Sequence, residues 1–168
     1  MLNEYHVSPQ LANCAFIGNV AAYFGGGVDN DTYCSAVLAN CTFSRNTADH
    51  CGTGVHNYYS SSSTITNCIL WGDSGVTDAK EIYNDGPESF PATAVVTYSC
   101  VQGGYDGTGN ISIAPLFADA AHDDYTLQSG SPCIDTGTSD GAPDTDILGV
   151  ARPQGSGYDM GAYEYAGR

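Results

Sequence analysis

The sequence predicts an all-β chain wound as a parallel β-helix of about four coils, closed on its C-terminal side by an irregular cap. Three observations lead there. The first is a repeat: "LANC" at Leu11–Cys14 and Leu38–Cys41, and "ITNC" at Ile65–Cys68, recur at one constant spacing. The second is that segments such as "GVHNYY", "STIT" and "CTF" are short, β-type, and bounded by Gly, Ser, Asn and Asp. The third is negative: no 3.6-residue apolar stripe persists long enough for a helical repeat.

The period extends well beyond the Asn-Cys pair. Asn3, Asn30, Asn57 and Asn84 share one phase, as do Met1, Val28, Val55 and Ile82, and Ser8, Ser35, Ser62 and Ser89. Leu11, Leu38 and Ile65 precede the pair, and Phe16, Phe43 and Leu70 follow it; Asn19 and Asn46 also match. In a parallel β-helix such residues stack about 4.8 Å apart. Apolar columns then become internal ladders, and Asn columns at bends satisfy one another and nearby backbone groups. On this reading Asn13, Asn40 and Asn67 form the polar ladder of a corner, with Cys14, Cys41 and Cys68 as small apolar filling beneath it.

Taken in order, Met1 to about Ala114 reads as four coils and residues 115–168 as a cap of the same domain. The last coil is enlarged: the step from Cys68 to Cys100 is longer than the step from Cys41 to Cys68, with Ser99 in the ladder position. Met1 already occupies the internal apolar column, so the first coil begins with an unprotected edge. The expectation is either further coils before it or a second subunit against it.

The segments "FIGN", "FSRN", "GGGV" and "GTGV" resemble the FxxN and GG-apolar repeats of polymorphic outer-membrane-type surface proteins, which are right-handed parallel β-helices. "PLFADAAHDDYTLQSGSPCIDTG" and "DILGVARPQGSGYDMGAYEY" are similar to the C-terminal segment of bacterial β-helix proteins of the choice-of-anchor type. The resemblance covers nearly the whole chain and implies an extracellular or cell-surface location, without specifying an activity.

Composition narrows the partners. Four Lys+Arg against 19 Asp+Glu give a formal charge of −15 over 168 residues. Such a surface repels phosphate backbones, so nucleic-acid partners are not expected. No apolar run approaches the roughly 20 residues of a spanning helix, so membrane insertion is not expected either. "MLNEYHVSPQ" lacks the basic and apolar regions of a secretory signal.

Candidate chemistry is sparse. Stacked cysteines sit about 4.8 Å apart, longer than a disulfide's Cβ separation of about 3.5–4.5 Å, so Cys14, Cys41 and Cys68 are expected reduced. Cys100 and Cys133 are the better disulfide candidates, joining the last coil to the cap. Asp140, Asp144 and Asp146 are candidate Ca2+ ligands in a Gly/Pro-containing loop, with solvated carboxylates as the competing reading. A complete lyase or hydrolase site is not visible: cations are few, and His6, His50, His56 and His122 do not share a repeat phase. Tyr23, Tyr58, Tyr59, Trp71 and Tyr83 are the aromatics expected to reach a coil surface and contact carbohydrate. The functional expectation is a non-catalytic β-helix module for adhesion or glycan contact, able to self-associate end to end. A fragment of a polysaccharide lyase or glycoside hydrolase is the alternative.

Overall fold

The structure, a computed structural model, describes residues 1–77 and 79–167. Each coil is built from short strands separated by turns. The first holds β1 (Leu2–Glu4), β2 (Gln10–Ala12), β3 (Ala15–Ile17) and β4 (Val20–Ala21). The second holds β5 (Val28–Asp31), β6 (Ser35–Ala39), β7 (Thr42–Ser44) and β8 (Thr47–Ala48). The third holds β9 (Val55–Tyr58), β10 (Ser62–Thr66), β11 (Ile69–Leu70) and β12 (Ser74–Gly75), and the fourth β13 (Ile82–Asp85), β14 (Thr93–Thr97) and β15 (Cys100–Val101). A 3-10 turn at Ala120–His122 is the only helical element among the described residues, and it separates β16 (Phe117–Asp119) from β17 (Asp124–Leu127).

Strands of equal rank pair in parallel, giving sheets β1-β5-β9-β13, β2-β6-β10-β14, β3-β7-β11-β15 and β4-β8-β12. The chain is therefore a parallel β-solenoid of about four turns. β16 and β17 form a separate antiparallel pair.

Three apolar columns fill the interior. Val28, Val55 and Ile82 line the first sheet; Leu11, Leu38, Ile65 and Val96 line the second; Phe16, Phe43, Leu70 and Val101 line the third. Those of the middle coils are fully buried, and Phe16 stacks on Phe43 with centroids 4.6 Å apart. No strand can bury its inward face alone, so each coil is stabilised by its neighbours.

The registry of the last coil corrects the sequence reading. Thr66 pairs with Thr97 and Ile69 with Cys100, so the offset is 31 residues. Tyr98, not Ser99, stands where the corner asparagine would be, and it keeps that position's left-handed backbone, with φ 48° against 51°, 48° and 54° for Asn13, Asn40 and Asn67. Ser99 replaces the cysteine: its hydroxyl accepts from Cys68 N at 3.0 Å, as the Cys68 thiol accepts from Cys41 N at 3.4 Å.

The longest amide ladder runs in another column. Asn3 donates to Asn30, Asn30 to Asn57 and Asn57 to Asn84, each through Nδ2 to Oδ1 at 2.8 Å. Asn84 ends the chain on the Tyr105 hydroxyl at 2.9 Å. Asn30 and Asn57 are wholly buried, so every lost partner there leaves a desolvated amide. Asn57→Ala is expected to cost about 2–4 kcal/mol, since Asn30 loses an acceptor while Asn84 and Ser63 lose a donor. Urea unfolding checks it: a variant as stable as the parent would show that the ladder contributes nothing.

Candidate functional site

The outward residues of the first sheet carry the largest cluster of aromatic groups. Strand alternation turns Val28 and Asn30 inward and Asp29 and Asp31 outward. The register then aligns Leu2, Asp29, His56 and Tyr83 in one outer column, and brings Tyr58 beside Asp85 in the next. Phe24, from the turn before β5, lies over His56 with centroids 4.8 Å apart and 16° between planes. Tyr83 flanks the same imidazole at 6.1 Å and Tyr58 at 6.3 Å.

From this centre the rings continue in both directions. Phe24 meets Tyr23 and His50, and Tyr23 stacks on His50 at 5.6 Å and 7°. Tyr58 meets Tyr59, which stacks on Phe90 at 4.6 Å and meets Tyr33 edge-on; Tyr33 stacks on His6 at 5.0 Å. Ten rings are thus linked across the coils, and Tyr23, Phe24, Tyr33 and Tyr58 remain exposed. Adjacent rings gain about 0.5–1.5 kcal/mol per pair when offset or tilted in this way, so much of the surface is held in place by itself.

His56 is fixed at the middle. Its Nδ1 donates to Asp29 Oδ1 at 2.8 Å, while Nε2 is buried without a partner. The imidazole is covered by its neighbours, so the Asp29 bond orients a ring and offers no base to a bound molecule. Lys80 adds a cation, its Nζ 5.3 Å from the Tyr83 centroid.

Four of the five aromatics expected at the surface, Tyr23, Tyr58, Tyr59 and Tyr83, therefore belong to one face. Trp71 does not. It packs beside Ile69, Cys100, Leu127, Cys133 and Met160, under the C-terminal segment. Phe24, His50 and His56 were not foreseen, although a signal existed. The histidines share no phase with one another, but Tyr23 and His50, His6 and Tyr33, and His56 and Tyr83 are each one period apart.

The corner asparagines do two jobs. Asn67 Nδ2 reaches Asn40 Oδ1 at 3.2 Å, one rung of the expected ladder. The ladder does not continue to Asn13, whose Oδ1 is buried without a partner because Asn40 Nδ2 turns to Asp159 O instead. Their other bonds hold the C-terminal segment: Asn13 donates to Thr145 O at 2.6 Å, Asn40 to Asp159 O at 3.0 Å and Asn67 to Thr138 O at 2.7 Å. The Cys14, Cys41 and Cys68 thiols are free and point to strand carbonyls. A hydrogen bond with Cys41, then burial, pushes the Cys14 thiol well above its ordinary range. Cys100 and Cys133 are also free thiols and buried, with the Cys100 thiol donating to Ile113 O at 3.2 Å.

Asp140, Asp144 and Asp146 do not converge on a cation. Asp140 and Asp144 are exposed, whereas Asp146 is buried. Its Oδ1 accepts from Leu148 N and Val150 N at 2.8 Å, and its Oδ2 from Glu164 N at 3.0 Å. Among the described residues no group of three or more His, Cys, Asp or Glu could hold a metal. Arg152 pairs with Glu164, at 2.7 Å, and bonds the carbonyls of Asp159 and Gly161.

One buried pair went unforeseen. Asn19 Nδ2 donates to Asn46 Oδ1 at 2.7 Å, and Asn46 N and Nδ2 donate to Asp73 Oδ1 at 2.6 and 3.0 Å. Asp73 in turn faces Glu81, whose Oε1 accepts from Asp73 N at 3.3 Å. Both carboxylates are buried, with Asp73 Oδ2 and Glu81 Oε2 lacking a partner. Burial, then the facing carboxylate of Asp73, pushes Glu81 up to about 9; burial also raises Asp73.

Fold and site together define a parallel β-solenoid with internal asparagine ladders and one aromatic outer face. No protein-family model, curated protein or solved structure matches the chain. No helix among the described residues is long and apolar enough to cross a membrane.

Proposed function

We propose that this chain is a non-catalytic β-helix module of an extracellular or cell-surface protein, of the polymorphic outer-membrane and choice-of-anchor type, which contacts glycans through its aromatic face. The continuous row of rings from Tyr23 to His6 carries the reading. Flat rings stack on sugar faces, and a rigid backbone presents them without an ordering cost at binding. Partly buried apolar residues at the first coil, Leu11, Cys14 and Phe16, favour end-to-end association with a second copy.

Affinity electrophoresis against a panel of neutral and charged polysaccharides tests the glycan reading. Retardation by at least one glycan is expected, and Tyr58→Ala should weaken it by roughly fivefold, the worth of about 1 kcal/mol of stacking. Phe117→Ala, whose ring lies against Tyr125 away from this face, should leave it unchanged. Equal loss in both variants, or binding by neither parent nor variants, would overturn the proposal.

A further inference from the structure

Two of the seven cysteines meet at the seam between the last coil and the C-terminal segment. Cys100 opens β15, and Cys133 lies beyond β17, outside every strand. Both are wholly buried, in one cluster with Ile69, Leu127 and Met160. Each is the main influence on the other: the Cys133 thiol pulls Cys100 below its ordinary value, and Cys100 pushes Cys133 above its own.

The other thiols are held differently. Cys14, Cys41 and Cys68 stack in a column whose spacing the backbone sets: Thr42 N donates to Cys14 O and Ile69 N to Cys41 O, both at 2.9 Å. Such a ladder keeps their Cβ atoms about 4.8 Å apart, beyond the separation of about 3.5–4.5 Å in an unstrained disulfide. Cys34 has Ser61 as its neighbour in the next coil, and Cys51 has Phe24 beside it. No ladder fixes Cys133. Its N–H donates to Ser131 Oγ at 3.2 Å and its carbonyl accepts from Met160 N at 2.9 Å, both within the C-terminal segment. The two sulfurs can therefore close on each other without breaking a rung of the coils.

We propose that Cys100 and Cys133 are a reversible cross-link site, oxidised by thiol–disulfide exchange with a small-molecule disulfide, which fastens the C-terminal segment to the last coil. Cys100, the more readily ionised of the two, attacks first. Its thiolate expels one thiolate from the small disulfide and leaves a mixed disulfide; Cys133 then attacks the protein sulfur of that bond and expels the second. Two protein thiols become one disulfide, the oxidant becomes two thiols, and the two protons pass to the expelled sulfurs. Neither sulfur is exposed, so exchange requires the segment to lift first. The bond closes a loop of 133 − 100 = 33 residues, which restricts the lifted segment and favours its return. This cross-link is independent of the aromatic face.

The test equilibrates the folded chain in mixtures of reduced and oxidised glutathione and counts thiols after an acid quench. Seven thiols are expected in excess reduced glutathione and five in excess oxidised, with peptide mapping joining Cys100 to Cys133. Amide exchange at Cys133 and Met160 should be roughly a hundredfold slower in the oxidised chain, while Leu38 and Val55 keep their rates. Returning the chain to reduced glutathione should restore all seven thiols and the faster exchange. Cys133→Ala should keep its remaining thiols in both mixtures, whereas Cys14→Ala should still lose two. Both states of the parent carry the comparison, so a misfolded variant leaves it decisive. Seven thiols at every ratio, or glutathione capping single cysteines with no internal bond, would overturn the proposal. So would a disulfide within the column of Cys14, Cys41 and Cys68, or a Cys100–Cys133 bond that leaves exchange at Cys133 and Met160 unchanged.

Discussion

Replacing Arg152 with Met should release the C-terminal segment at a cost of about 3–5 kcal/mol, the penalty of stranding a buried partner charge. Arg152 has none of its side chain exposed and Glu164 only 1%. The guanidinium neutralises Glu164 and ties down the Asp159 and Gly161 carbonyls. Those same carbonyls accept from Asn40 on the coil wall, at 3.0 and 3.4 Å, and Gly161 N donates to Asn67 O at 2.7 Å. One cation therefore sits behind the seam along which the segment meets the solenoid. Met fills similar volume but satisfies none of these groups, and Glu164 stays buried with no countercharge. Hydrogen exchange distinguishes a local from a global effect. Protection should fall at Met160, Gly161 and Ala162 and persist at Val55 and Leu38, because coil stability is set mainly by neighbouring coils. Uniform loss of protection, or an unchanged segment, would show that Arg152 is not the fastener. Arg152→Lys should fall between the two, since a single ammonium cannot span Glu164 and both carbonyls.

The coils were legible in the sequence because a solenoid writes its geometry into its period. Leu11, Leu38 and Ile65 had to repeat for the column to be continuous, and the Asn3 to Asn84 column had to repeat for each amide to find the next. The fourth coil was misread by one residue. Ser99-Cys100 imitates Asn-Cys, yet the hydroxyl of Ser99 does the accepting that the Cys68 thiol does one coil earlier, and only the pairing of Ile69 with Cys100 reveals the shift.

The aromatic face was half legible for a different reason. Its rings come from turns and strands at several phases, and the cross-section of the coil, which no period encodes, decides which phases become neighbours. Tyr58 and Tyr83 were recognised as surface residues; that His56 lies between them and Phe24 follows only from the wall being folded. The C-terminal segment is irregular, so its contacts with Asn13, Asn40 and Asn67 left no repeating mark. Asp73 was within reach, being one period after Asn46. A carboxylate replacing an amide at a ladder position needs either a proton or a donor. The structure supplies donors from Asn46 to one oxygen and sets the Glu81 carboxyl, which accepts from Asp73 N, beside the group.

That substitution makes the coil stack sensitive to pH, and Glu81→Gln should remove the sensitivity. Glu81 is 2% exposed and holds its proton up to about 9, against an ordinary value of 4.5. A carboxyl whose value is raised on folding contributes stability that is fully present below about 4.5. That stability is lost as pH rises toward about 9, because the folded state keeps a proton that the unfolded chain has given up. The slope is at most about 1.4 kcal/mol per pH unit over that window. The proton stays on Glu81 because Asp73 Oδ1 accepts two bonds from Asn46, which favour its anion. In Glu81→Gln a neutral amide replaces the titrating carboxyl, and its oxygen still accepts from Asp73 N. Denaturant unfolding from pH 5 to pH 9 should therefore show the parent losing stability relative to the variant at each step, with the gap widest at the alkaline end. Asp73→Asn should flatten the curve in the same direction, since Asn keeps an oxygen for Asn46 and turns a donor toward Glu81. Parallel curves for parent and variants would mean that the two carboxyls do not share a proton. A gap widening toward acid would mean that the pair is held as two anions.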